Sequence, residues 1–429
     1  MRLHDELELQ LNAREREERL DAVRQLRVML DTGSIRRPER GSDTNNHVHT
    51  TYSFSSYSPA AAVWKAYSSG LDVVGIVDHD SVGGASEFIA AGDILGITTT
   101  VGAELRVSFT GTPLEGRTLN NPDESNVAYI ACHGIPHTQL SRLDEHLTRV
   151  RRRRNERNRA QVGRLNSLLA GSGLEVDFDA DVVPLSMAHE GGSITERHIL
   201  FALARKIEQR CGRGASLISF LEDLTGTPVR GRARALLSDT GNELYAYDIL
   251  NVLKSELVSR FYVPRGSDCM PVGEVVPELR GMGIIPTYCY LGDVGESPTG
   301  DKRSMRFEDA YLDELFPVLR ELGFEAIAYM PSRNTDEQLR RIIDYCRRYG
   351  FMEISGEDIN QPRQDFICPR LREPQYSHLA TSTWALVGHE HASGYDSLDG
   401  VYSAGTAGHQ RDLSRWIASF AELGRRFRR

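Results

Sequence analysis

Short apolar runs that end in metal-type side chains recur along this chain, and that repetition constrains its fold more than any other feature. Leu71-Asp72-Val73-Val74-Gly75-Ile76-Val77 runs into Asp78-His79-Asp80. Gly96 to Gly102 leads to Glu104, and Asn126 to Cys132 stops at His133. Helical signals lie between such runs. Ser58-Pro59 supplies a capping hydroxyl and a first-turn proline for a helix ending at Gly70, and Gly84 to Ala91 reads as another. The alternation resumes at Gly283 to Tyr290, with a helix over Phe307 to Leu322, a strand over Phe324 to Tyr329, a helix over Asp336 to Tyr349 and a strand over Gly350 to Ile354. Alternating strands and helices imply parallel strands with crossover helices, the α/β class. In α/β barrels the C-terminal strand ends carry the active site, the position expected for Asp78, His79, Glu104 and His133.

The stretch Asn46-His47-Val48-His49 adds two histidines at a spacing of two. In extended backbone they project from one side and can grip one divalent cation. Imidazoles mixed with carboxylates suit Mn, Fe or Zn better than Ca or Mg.

Over 429 residues, 40% apolar and 26% charged content is that of a globular protein with no apolar run long enough to span a bilayer. Six cysteines without framework spacing suit reduced thiols, so a cytoplasmic setting and no membrane partner are expected. A net charge of −9 argues against nonspecific nucleic-acid coating.

The expected organisation is an N-terminal helical arm (1–40), a first barrel part (41–139), a mostly helical insertion capping the mouth (140–275), a second barrel part (276–365) and a C-terminal extension (366–429). Residues 1–31 read as one helix, and Gln410 to Phe427 as an amphipathic one. Within the insertion, helical patterns cover Leu140 to Ala170, Thr195 to Gln209, Leu217 to Leu224 and Ala246 to Ser255. The arginine-rich run Arg151 to Arg159 is either a solvated face or a cationic lining of the mouth. Asn120-Asn121-Pro122-Asp123 reads as a turn.

In order along the chain, His47-Val48-His49-Thr50, Ile76-Val77-Asp78-His79-Asp80, Gly102-Ala103-Glu104, His133, Ile194-Thr195-Glu196-Arg197-His198-Ile199 and Ser355-Gly356-Glu357-Asp358-Ile359-Asn360-Gln361-Pro362 resemble the motifs of the PHP (polymerase and histidinol phosphatase) superfamily, in its metal-dependent phosphoesterase branch. The resemblance implies a distorted (β/α)7 TIM-like barrel. It implies metal ligands at His47, His49, His79, Glu104, His133 and Asp358, catalytic roles for His198 and Asp78, and substrate contacts from Arg197, Tyr290 and Asn360. The chain departs from the family pattern at Phe54, Tyr290 and Asn360, so one or two divalent ions are expected rather than three. Asp293 and His137 are candidate replacement ligands.

The activity so implied is phosphoester hydrolysis with a metal-activated water as nucleophile. The partner would be a small anionic substrate, phosphorylated, with a nucleotide or short oligonucleotide as options. Two alternatives stay open: a metal hydrolase of a C–N or C–O bond, and a non-catalytic metal-binding or regulatory protein.

Overall fold

The computed structural model describes residues 3–121, 124–264, 266, 268–293, 306–394, 400–402 and 412–429. Among the described residues eight strands form one sheet: β1 (Thr44–Val48), β2 (Val73–His79), β3 (Thr98–Ser108), β4 (Val127–His133), β5 (Met270–Pro271), β6 (Ile285–Cys289), β7 (Ala326–Ala328) and β8 (Met352–Ile354). Seven follow the path β1-β2-β3-β4-β6-β7-β8, and the two-residue β5 pairs with the end of β3. The sheet curls until Val48 pairs in parallel with Ile359, beyond β8. His49 N donates to Ile359 O at 2.8 Å and Ile359 N to His47 O at 3.0 Å.

The expectation of parallel strands throughout needs one correction. β4 is antiparallel to both neighbours, β3 and β6. Among the described residues no helix lies between β3 and β4, and Phe109 N bonds Asn126 O at 2.7 Å where the connection doubles back. A strand that returns without a crossover is antiparallel.

Helices flank the sheet. In the arm, α1 (Leu3–Gln10) and α2 (Arg16–Asp31) are separate, not the one helix the charge pattern suggested. The break is held by a tertiary contact: Asn12 Oδ1 accepts from Ser58 N at 2.8 Å. Leu20, Val23, Leu26 and Leu30 bury in the barrel's outer core against α3 (Pro59–Ser68) and α4 (Ala85–Leu95). The buried Arg19 Nε bonds Glu87 Oε1 at 2.9 Å.

The insertion comprises α5 (Leu140–Leu168), α6 (Glu196–Cys211), α7 (Ala215–Thr225), α8 (Gly231–Ser238) and α9 (Tyr245–Phe261), of which α8 had no clear sequence signal. Leu165, Ile199, Leu203, Ile249 and Leu253 make a separate apolar core there, and the barrel contributes Phe54 to it. The barrel resumes with α10 (Val272–Gly281), α11 (Leu312–Leu322) and α12 (Asp336–Tyr349). α12 opens with a capping box in which Thr335 and Gln338 satisfy each other's backbone amides.

The extension closes the other end of the barrel. Trp384 and Leu386 of α13 (Ser377–Ser393) join one core with Val73, Ile285, Ala326 and Met352, each the first residue of its strand. Glu390 Oε1 accepts from Val101 N at 2.8 Å. α14 (Leu413–Arg425) lies on α13, where a Cβ at Gly388 or Gly424 would collide with the other helix's backbone. Residues 410 and 411, the start of the expected terminal helix, lie outside the described residues, as do Pro122 and Asp123 of the expected turn.

Candidate metal centre

The seam that closes the barrel builds the centre. Val48 is fully buried in the outer core, so alternation along β1 turns the flanking His47 and His49 toward the barrel interior. The two seam hydrogen bonds bring Asp358 and Asn360, either side of Ile359, up to those imidazoles.

Glu104 Oε2 is the focus. It lies 3.5 Å from His47 Nε2, 3.6 Å from His49 Nε2 and 3.2 Å from His79 Nδ1. Asp358 Oδ1 is 3.2 Å from His49 Nε2. Ligand atoms held about 2.1 Å from a tetrahedral cation stand about 3.4 Å apart, so these separations are those of atoms sharing an ion. Ligand atoms of His47, His49 and Glu104 all fall within 4.8 Å of one another.

The donor set fits a cation on a second count. His49 Nε2 and His133 Nε2 are buried without an aligned hydrogen bond. A buried nitrogen left without a partner is costly, and coordination would satisfy both. Burial, and then the charge of His47, holds the His133 imidazole down to about 3. Burial, then His49 and Arg154, holds His79 well below its ordinary value. Both are therefore neutral near pH 7, the form that binds metal. For His47, burial opposes protonation, but Glu104 and Asp358 outweigh it and raise the pKa. For Asp358, burial favours the acid form, but His49, His47 and Arg197 outweigh it and hold the carboxyl far below its usual range.

His133 arrives by an unexpected route. It ends the antiparallel β4 and pairs with Ile285, the first residue of β6, so it enters from the opposite end of the barrel. It nonetheless lines the same cavity, of about 220 Å³, as His47, His79, Glu104 and Asp358.

Asp78 faces the loop behind His49 and does not line the cavity. It accepts from Thr50 N at 2.7 Å, Thr50 Oγ1 at 2.6 Å and Ser53 Oγ at 2.6 Å, and Ser53 Oγ lies 3.4 Å from His49 Nδ1. Asp78 thus fixes the loop that carries His49.

His198 is not brought to the cavity. Its Nδ1 accepts from Thr195 N at 3.0 Å in a capping box at the start of α6, and its ring stands edge-on to Phe54. Burial, then Arg154, holds its pKa down to about 3. His198 thus serves as the cap of α6 through its Nδ1.

Arg197, Tyr290 and Asn360 all line the cavity. Arg197 forms no hydrogen bond or ion pair among the described residues. The Tyr290 hydroxyl donates to Asp309, so only its ring faces the space. Asn360 Nδ2 donates to Asp358 Oδ1 at 2.6 Å. Neither suggested replacement ligand reaches the centre. Asp293 Oδ1 accepts from Phe307 N at 2.5 Å, and His137 Nε2 pairs with Glu390 at 3.2 Å.

The arginine run divides by helical phase. Arg151, Arg154 and Arg157 are buried, whereas Arg152, Arg153 and Arg159 are exposed. Only Arg154 among them lines the cavity. The 151/154/157 spacing marks one face of α5 and could have been read from the sequence. Lys254, Tyr129 and Ser355 also line the cavity, and no motif pointed to Lys254 or Tyr129.

No family model and no curated protein matches the sequence. Solved structures do match. One is a candidate metal-dependent phosphoesterase from Bifidobacterium adolescentis, 18% identical, with a TM-score of 0.51 over 81% of this chain and 98% of that one. Another is an amidohydrolase from Chromobacterium violaceum with bound sulfate and no metal, also 18% identical, with a TM-score of 0.51 over 79% of this chain and 95% of that one. The likeness is one of fold: this chain is a distorted TIM-like barrel.

Proposed function

We propose that this chain is a metal-dependent phosphoesterase that hydrolyses a phosphomonoester or nucleotide-type substrate. The observation that carries the reading is the convergence of His47, Glu104 and Asp358, backed by His49 at 3.6 Å from Glu104 and 3.2 Å from Asp358, in a cavity that Arg197 also lines, its guanidinium making no hydrogen bond or ion pair among the described residues. One or two divalent ions, Mn, Fe or Zn, held by His47, His49, His79, Glu104, His133 and Asp358 would supply Lewis acidity to a phosphoryl oxygen and acidify a water.

The remaining work falls to the chain's own groups. Arg197 presents a planar fork that matches two phosphoryl oxygens. Asn360 holds Asp358 in one orientation, and Asp78 holds the His49 loop. Phe54, Leu200 and Val258 make an apolar wall that excludes water from one side of the cavity. His198 stays neutral behind Phe54 and delivers no proton.

The amidohydrolase of the same fold supports a second reading, hydrolysis of a C–N bond at the same centre. Metal analysis of purified protein, run beside a screen of phosphomonoesters, nucleotides, short oligonucleotides and N-acyl compounds with His49→Ala as control, separates the two. The account expects bound metal and His49-dependent phosphate release. Bound metal with turnover of N-acyl compounds alone would overturn it in favour of the second reading.

A further inference from the structure

The inward face of α5 feeds a buried ion network that neither the metal ligands nor the substrate contacts explain. Arg154 Nη1 lies 2.5 Å from Asp80 Oδ2, and its Nη2 3.2 Å from Glu196 Oε2. Arg106 of β3 approaches the same two carboxylates at 3.5 and 3.7 Å. Arg157 closes the set at 2.6 Å from Glu196 and 3.3 Å from Asp268. Arg106, Arg154, Arg157, Asp80 and Asp268 are all buried.

The position of the carboxylates in the chain gives the network its meaning. Asp80 directly follows His79, its N–H donates to Glu104 O at 2.8 Å, and it holds a left-handed backbone at φ 49°. It is therefore tied to two of the groups that converge on the metal centre. Glu196 is the first residue of α6 and directly precedes Arg197. The guanidinium of Arg154 thus joins the barrel half of the cavity to the insertion half. Arg151 Nη1 adds a bond to Asp80 O at 3.0 Å, and Asn158 Nδ2 one to Ile194 O at 2.9 Å, so the same helix face grips both ends.

Other polar ties cross nearby, from Ser193 N to Tyr52 O at 2.7 Å and from Ser81 Oγ to Gly191 O at 2.7 Å, but they hold the loop before α6 and not Glu196 itself. The insertion has its own apolar core, joined to the barrel chiefly by Phe54. Apolar contacts tolerate sliding, whereas a two-ended guanidinium fork fixes distance and direction.

We propose that Arg154 is a positioning residue: held by Asp80 of the barrel and Glu196 of the insertion, it sets where Arg197 stands relative to His79 and Glu104. The inference rests on the phosphoesterase reading for its consequence, not for its geometry. Arg154→Lys keeps the charge and loses the fork, and Glu196→Gln keeps the volume and loses the insertion-side charge.

Two measurements separate the levels. Hydrogen exchange over residues 193–204 tests the strut directly. Both variants should exchange at least about tenfold faster there, with β1 and β2 unchanged. Inorganic phosphate binding to the metal-loaded protein tests the consequence. Affinity should fall about tenfold in Arg154→Lys with metal content unchanged, and Arg154→Lys combined with Arg197→Ala should bind no more weakly than Arg197→Ala alone. Unchanged exchange in both variants, or losses that add in the double variant, would overturn the proposal. Faster exchange in a protein that binds no phosphate even as wild type would sustain the strut and sink the phosphoesterase reading instead.

Discussion

Asn360 donates its side-chain amide to Asp358 Oδ1 across 2.6 Å, and that same oxygen stands 3.2 Å from His49 Nε2. Asn360 therefore restrains Asp358, a candidate metal ligand. Gln364 anchors the loop around it, accepting from Asn360 N at 2.8 Å and donating to Asp358 O at 2.7 Å. Removing a partner that orients a ligand typically costs 10- to 100-fold in metal affinity. Asn360→Ala should lower affinity for Mn or Zn by about tenfold in a calorimetric titration, with little change in Tm.

His198 offers a clean contrast between two roles. As the capping residue at the third position of α6 it is replaceable by glutamine, the residue that commonly fills such boxes. His198→Gln should retain phosphatase activity within about threefold in steady-state assays. Loss of a general acid would instead cost roughly 10²- to 10⁴-fold.

Gly356 packs flat against β1. A Cβ there would lie 2.6 Å from His47 N and 2.7 Å from His47 Cβ, closer than real Cβ atoms come. Gly356→Ala must push β1 away from the closing seam, costing about 1–3 kcal/mol in denaturant unfolding. It should also weaken metal binding, because His47 moves with the strand.

His389 gives a pH signature away from the centre. Its Nε2 donates to Gly283 O at 2.8 Å and its Nδ1 accepts from Val401 N at 3.1 Å, and burial holds its pKa down to about 4. The unfolded chain binds this proton near pH 6.5, so the folded state is favoured in full above 6.5 and loses that advantage as pH falls toward 4. The contribution changes by about 1.4 kcal/mol per pH unit across that window. His389→Gln should flatten the fall in unfolding free energy between pH 6.5 and 4 by about that slope.

Much of this was legible in the sequence because the barrel's punctuation is local. Ser58-Pro59 starts α3 where the cap and proline said it would, and β2 ends at His79. The ordered motifs pointed to His47, His49, Glu104 and Asp358, which the seam at Ile359 gathers. Strand direction was not legible. An apolar run reads the same both ways, and only the helix-free return after β3 shows that β4 is antiparallel. Tertiary contacts decided the rest. Asn12 breaks the first helix by bonding Ser58, and His198 faces Thr195 and Phe54 rather than the cavity. The arginine run mixed a buried and an exposed face, which composition alone averages away.

The central claim is that the His47-Val48-His49 stretch anchors a metal centre completed by Glu104 and Asp358. Equilibrium titration of metal-stripped protein with Mn or Zn, comparing wild type with His49→Ala, tests it most directly. The account predicts stoichiometric binding of at least one divalent ion by the wild type and a loss of affinity of at least about 100-fold in the variant, which removes a direct ligand. Absence of binding by the wild type, or undiminished binding by His49→Ala, would contradict it.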